Sequence, residues 1–305
     1  MKTGIINKII AFSNVDGPGN RTAVFFQGCN LHCLFCHNPE TIHRCVGCGL
    51  CVEKCPQWAL KRNEAAGSRP VEAGKTAGMA GGRPDETAPV PPILWTPSLC
   101  VDCDTCIKTC PHLASPKVQY MTAEALRDKI RRTAPYINGV SFSGGECTQQ
   151  RDFLMEVIPL IRELGLGVLL DSNGTYDFEQ DPELLRIIDG VMLDIKAADP
   201  AFCRTLTGAG PELPFRNLDF LQRAGKLEEV RTVLFPHHPE QNEATVRAAA
   251  SRLRPDVRYK LLRYRPFGVR QEGLDFLGGE ITPEAEGEHL AALARSLGAE
   301  NSVTV

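Results

Sequence analysis

From residue 117 onward, apolar positions alternate between two periods. Val140-Ser141-Phe142-Ser143, Val168-Leu169-Leu170-Asp171 and Val191-Met192-Leu193-Asp194-Ile195 are short runs that read as strands, as do 230–235 and 258–264. Between them the spacing becomes helical. Thr122 precedes a predicted helix over 124–134, with Leu126 and Ile130 four apart. Phe153, Leu154, Val157, Ile158, Ile161 and Leu164 share one helical face, and 182–188 predicts a further helix. Earlier in the chain, 5–27 reads as a lead-in, a Gly17-Pro18-Gly19 turn and a strand ending in Ala23-Val24-Phe25-Phe26. Ser302 to Val305 adds a short edge strand. Strands alternating with helices predict parallel pairing through helical crossovers. Eight units would close a barrel; the six seen here predict an α/β fold with a partial, open (β/α)6 barrel.

The 305 residues suffice for one large core and a small insert, and the formal net charge of −3 supports neither nucleic acid nor an anionic membrane as partner. No apolar run approaches the roughly 18 residues of a membrane span, and Met1 to Ile10 lacks the apolar core of a signal peptide. Thirteen cysteines in such a chain point to a reducing cytoplasm and metal ligation. All but Cys147 and Cys203, which read as small buried residues, lie between 29 and 110.

Those cysteines form three groups. Cys29-x3-Cys33-x2-Cys36 follows the first strand. Three thiolates can hold three irons of a [4Fe-4S] cluster, which takes four protein ligands when closed. One iron then stays open to a non-protein ligand, and an open metal position is where chemistry occurs. A zinc knuckle completed by His32 or His37, or simply a few buried thiols, is the alternative. Cys45-x2-Cys48-x2-Cys51-x3-Cys55-Pro56 and Cys100-x2-Cys103-x2-Cys106-x3-Cys110-Pro111 each have the spacing of a bacterial ferredoxin run. In such runs the fourth cysteine serves the other cluster. One cluster is therefore expected at Cys45, Cys48, Cys51 and Cys110, the other at Cys55, Cys100, Cys103 and Cys106; two zinc sites are the alternative. The runs define an insert over 41–116 with a flexible, turn-rich loop at about 62–97, between barrel segments 1–40 and 117–305.

Ligands of parallel α/β folds sit at the carboxyl ends of strands, and polar motifs fall there. Gly144-Gly145-Glu146 offers close backbone approach and a carboxylate that can accept from an ammonium group. Asp171-Ser172-Asn173-Gly174 ends the third strand, Asp194-Ile195-Lys196 the fourth, and Arg231 lies on the fifth. Asp171 and Asp194 would repel unless Lys196 or a cation balances them; capping of the following helices is the alternative reading.

Cys29, Cys33 and Cys36, with Phe35 before the last, resemble the cluster motif of the radical SAM enzymes. Asp16-Gly17-Pro18-Gly19-Asn20-Arg21, Cys36-His37-Asn38-Pro39, Asp171-Ser172-Asn173-Gly174 and Asp194-x-Lys196 narrow the resemblance to glycyl radical enzyme activases. The double ferredoxin run and Lys260-Leu261-Leu262-Arg263-Tyr264-Arg265-Pro266 resemble the YjjW-type subgroup. The resemblance implies three [4Fe-4S] clusters, S-adenosylmethionine (SAM), and a monovalent cation near the SAM carboxylate. It also implies a partner glycyl radical enzyme and reduced flavodoxin or ferredoxin as electron donor. SAM contacts would come from Phe35, Gly144, Gly145, Glu146, Asp171, Ser172, Asn173, Asp194, Lys196 and Arg231. Arg265 stands where many activases carry a ribose-contacting histidine, and Cys147 where relatives carry proline or alanine. The loop at Asp16-Gly17-Pro18-Gly19 would lie at the barrel mouth near the partner's glycine. The insert clusters would relay electrons or dock the partner. A radical SAM enzyme acting on a small molecule and a ferredoxin-type carrier are the rival functions.

Overall fold

The apolar runs become strands of one large sheet. The computed structural model describes residues 2–66 and 90–305. Its strands are β1 (Thr3–Ser13), β2 (Arg21–Phe26), β3 (Leu60–Arg62), β4 (Ile93–Trp95), β5 (Gln119–Thr122), β6 (Gly139–Gly144), β7 (Gly167–Ser172), β8 (Gly190–Asp194), β9 (Leu227–Leu234), β10 (Arg258–Arg263) and β11 (Ser302–Thr304). The six strands expected from the sequence are β2 and β6 to β10, each parallel to the next. The short C-terminal strand β11 extends the run, parallel to β10. The order β11-β10-β9-β8-β7-β6-β2-β1-β5 leaves the sheet with two edges.

The lead-in is where the structure departs from expectation. Residues 3–13 form an 11-residue strand, antiparallel to both β2 and β5. Ile5-Ile6 and Ile9-Ile10 do not alternate as a strand should, because the β1–β2 register shifts between Ile6 and Lys8 and again between Ile10 and Ser13. Each irregularity resets which face a residue meets, so the period of two is erased.

Helices cover one face. Thr122 caps the helix Ala123–Arg131, its Oγ1 accepting from Ala125 N at 3.2 Å. Val140, Phe142, Val168, Leu170, Val191 and Leu193 pack there against Leu126, Ile130, Leu154 and Ile158, all fully or almost fully buried. Each such side chain contributes about 1.5–3 kcal/mol through burial. Alternate residues must point the other way: Ser141, Ser143, Leu169, Asp171, Met192 and Asp194. The sheet therefore has an apolar outer face and an inner face carrying charge.

The insert is built differently. β3 and β4 pair antiparallel, Leu60 opposite Trp95, and Cys51, Leu60, Ile93 and Cys106 form a small buried cluster. The loop expected over 62–97 thus begins and ends in paired strand; its interior, 67–89, lies outside the described residues. Backbone bonds tie the insert to the chain leaving β2: Gly28 N donates to Thr41 O, Cys29 N to Ile42 O and Ser115 N to Glu40 O, at 2.8–2.9 Å, while His43 N donates to Leu113 O within the insert at 3.0 Å. Among the described residues, no helix is long and apolar enough to cross a membrane.

Candidate functional site

The cysteine loop leaves the carboxyl end of β2 and is held by the end of β6. Gly144 has φ +117°, and a Cβ there would run into the Phe26 backbone; one at Gly145 would run into the Gly28 carbonyl. Both glycines thus serve close approach of β6 to the chain entering Cys29. Glu146 is 1% exposed. Its Oε1 accepts from Thr148 N (3.2 Å), Thr148 Oγ1 (2.7 Å) and Ser172 Oγ (3.1 Å), and its Oε2 from Asn173 N (2.7 Å). Burial raises its pKa while these donors oppose the rise. The carboxylate expected to meet a ligand ammonium is thus surrounded by protein donors. It braces the Asp171-Ser172-Asn173-Gly174 turn.

Asn173 passes this order to the cysteines. Its Nδ2 donates to Asn30 Oδ1 at 3.1 Å and lies 3.9 Å from Cys29 Sγ. Asn30 in turn donates to Thr175 Oγ1 at 2.7 Å. From the other side, Arg270 Nη2 donates to the carbonyls of His32 (3.1 Å) and Cys33 (3.4 Å). A Cβ at Gly273 would strike the Leu34 carbonyl, so the helix Gln271–Leu277 sits directly against the loop. Sequence reasoning missed Asn30 and Arg270. Arg270 is over 230 positions from the cysteines it holds, and only nearby glycines hint at a close contact.

The inner face carries a connected set of charges. Asp171 Oδ2 accepts from Ser143 Oγ at 2.9 Å and pairs with Arg231 Nη1 at 3.0 Å. Arg231 also donates through Nε to Glu229 Oε1 (2.6 Å) and lies 3.1 Å from Met192 Sδ. Glu229, 2% exposed, is also paired with Lys260 at 2.8 Å. Burial raises the Asp171 pKa, Arg231 pulls it back, and Asp194 pushes it up. Asp194 pairs with Lys196 at 2.8 Å. Burial opposes the Lys196 charge, but Asp194 and Cys33 more than offset it, so its pKa is raised. Lys196 Nζ lies 5.3 Å above the Phe35 ring, which packs edge-on against Phe235 at 5.0 Å. Glu229 and Lys260 are further residues that the sequence alone did not single out.

Burial pushes the Cys29 thiol up to about 11 and that of Cys33 to about 12, and raises Cys36 as well; Lys196 works against the rise at all three. Other candidates lie apart. Arg265 is exposed, and its carbonyl accepts from His37 Nε2 at 2.8 Å. His32 packs on His43 with ring centroids 4.8 Å apart. Cys147 and Cys203 are buried, as expected. The Asp16-Gly17-Pro18-Gly19 loop joins the end of β1 to the start of β2, whereas the cysteines follow the end of β2. It therefore lies at the amino ends of the parallel strands, where Ser141 Oγ donates to Asp16 O at 2.5 Å.

In the insert, one hollow is lined by Cys45, Cys48, Cys51 and Cys110, and another by Cys55, Cys100, Cys103 and Cys106. Four thiols around each hollow are the donor set of a [4Fe-4S] cluster. Among the described residues, no three His, Cys, Asp or Glu side chains are grouped to hold a single metal ion. The thiols surround a space, as cubane ligands must.

A family model described as Radical SAM superfamily matches residues 97–253, one described as 4Fe-4S dicluster domain matches 44–115, and one described as 4Fe-4S single cluster domain matches 15–65. The chain is 28% identical to a putative glycyl-radical enzyme activating enzyme of Haemophilus influenzae, over 98% of this chain and 96% of that one. It is 30% identical to the indoleacetate decarboxylase activating enzyme of Tractidigestivibacter scatoligenes, covering 78% and 76%. It is also 30% identical to the isethionate sulfite-lyase activating enzyme of Nitratidesulfovibrio vulgaris, covering 93% and 92%.

Proposed function

We propose, from the premise that this chain belongs to the radical SAM superfamily and there to the activating enzymes related to glycyl-radical-enzyme activases, that it installs a radical on one glycine of a larger partner enzyme. Cys29, Cys33 and Cys36 hold a [4Fe-4S] cluster with one iron left for SAM, and the two insert quartets each hold another, in the manner of the YjjW-type subgroup. When bound, the first cluster supplies the electron that splits SAM into methionine and a 5'-deoxyadenosyl radical, which takes hydrogen from the partner's glycine. Reduced flavodoxin or ferredoxin, in a reducing cytoplasm, is the donor this reading requires.

The protein's own part is positioning and charge balance. Asn173 and Arg270 fix the cysteine loop from opposite sides. Asp171, Asp194, Lys196 and Arg231 present two carboxylates and two cations beside it, a set able to receive an amino-acid zwitterion by exchanging partners. Arg231 already neutralises Asp171, the role expected of a monovalent cation. The observation that carries the reading is the three-cysteine loop set at the strand ends against this charged inner face.

Anaerobically reconstituted protein with SAM and reductant should form 5'-deoxyadenosine only when the partner enzyme is present. The partner should then show a glycine-centred EPR doublet. Turnover supported by a small molecule with no protein partner would replace this reading with the small-molecule one.

A further inference from the structure

Of the two hollows in the insert, one is lined by a residue whose donor is satisfied by none of the described residues. Trp95 ends β4, opposite Leu60 on β3, and is one of the residues lining the hollow of Cys55, Cys100, Cys103 and Cys106. Its Nε1 is buried and has no hydrogen-bond partner among the described residues. An indole N–H can only donate, and a buried donor left unmade is destabilising, so its place here calls for an acceptor. The charged groups on the same rim are engaged with each other: Lys117 Nζ lies 2.7 Å from Asp104 and 3.2 Å from Asp102. The same hollow is lined by the Cys55, Cys100, Cys103 and Cys106 thiols and by Gln57, and a cluster held by those thiols would bring accepting sulfur into it. The sister hollow has no tryptophan in its lining, which besides its cysteines is Val46, Gly49, Leu50, His112, Ala114 and Pro116.

We propose that the Trp95 indole N–H donates to a sulfur of the cluster held by Cys55, Cys100, Cys103 and Cys106, and raises that cluster's reduction potential. The inference rests on the cluster assignment made above. Its physical basis is that a reduced cluster carries more negative charge than an oxidised one. A fixed N–H aimed at its sulfur therefore stabilises the reduced form more. The neighbouring cluster receives no such donor from Trp95. Two cubanes built from near-identical cysteine runs are thereby made unequal.

Potentiometric titration of the full reconstituted chain, followed by EPR, compares the natural protein with Trp95→Phe, which keeps the ring and removes the donor. The expected result is one reductive step moved to lower potential, the others unmoved, and iron content unchanged. A second measurement uses the only other tryptophan, Trp58. In a Trp58→Phe chain labelled with 15N-tryptophan, the reduced cluster should show a 15N hyperfine coupling. Fully loaded Trp95→Phe with every step unmoved, or all steps moved alike, overturns the proposal. So does the absence of 15N coupling, which decides the matter if Trp95→Phe loses iron. An unmodified chain holding about four irons where three cubanes require about twelve would instead remove the cluster assignment, and the proposal with it.

Discussion

Arg231 shows how much of the site depends on single side chains. One guanidinium touches Asp171 at 3.0 Å, Glu229 at 2.6 Å and Met192 Sδ at 3.1 Å, all on the inner face of the sheet. Glu229 has a second cation in Lys260, whereas Asp171 depends on Arg231 and the Ser143 hydroxyl. Arg231→Gln should therefore leave Asp171 as an uncompensated, largely buried charge, a loss of about 3–5 kcal/mol in urea unfolding. Adding Asp171→Asn should return part of that loss, because the stranded carboxylate is then gone. Strictly additive effects of the two changes would mean the pair is not coupled. Asp171, Asp194, Lys196 and Arg231 were legible in the sequence because they end or line apolar strands in recognisable motifs. Glu229 and Lys260 were not. An alternating polar residue reads the same whether it faces solvent or the inside of a curved sheet, and only the arrangement of the other strands distinguishes the two.

Elements are located by their ends. The six parallel strands and their helices could be read from periodicity, since apolar burial on the outer face imposes it. β1 escaped because two register shifts scramble its pattern, and β5 because none of its four residues is fully buried. The roles of Gly144 and Gly145 were visible as a need for closeness, but what comes close is the protein's own chain at Phe26 and Gly28. A similar end-to-end tie joins the helix Arg151–Arg162 to the turn before the helix Pro182–Ile187. Arg151 donates to both oxygens of Asp181, at 2.8 and 2.9 Å, and Tyr176 Oη donates to Asp181 at 2.5 Å. The Arg151 bonds first, then the Tyr176 bond, hold the Asp181 carboxyl well below its ordinary value of 3.8. A carboxyl whose folded pKa is depressed contributes stability that is complete above its unfolded pKa and is lost as pH falls toward the folded one. Asp181→Asn should thus cost about 1–3 kcal/mol near neutral pH. The gap to the natural chain should narrow in denaturant titrations as pH drops below about 4. A gap of constant width across that range would show that the ion pair does not carry the linkage.

The molecule as a whole draws its stability from two unlike sources. The sheet and its helices share a large apolar core, from Ile6 to Ala299. The insert has four buried residues in its cluster, and two of them, Cys51 and Cys106, are cysteines. Among the described residues its only sheet is the three-residue pairing of β3 with β4. A body of this size with so little apolar interior needs metal to remain folded. With metal absent, burial pushes the Cys51 thiol up to about 12, so stripping iron must also put protons back on the ligands. Removal of iron by an anaerobic chelator should therefore melt the insert and leave the sheet standing. Amide exchange gives the measurement. The N–H groups of Cys55, Ile107 and Cys110, bonded within the insert at 3.0–3.3 Å, should lose protection on chelation. Those of β6 to β9 should keep it, because their stability comes from side chains that hold no metal. Equal loss of protection in both regions would mean that the seam at residues 40–43 and 113–115 makes them a single cooperative unit, with the clusters stabilising the sheet as much as the insert.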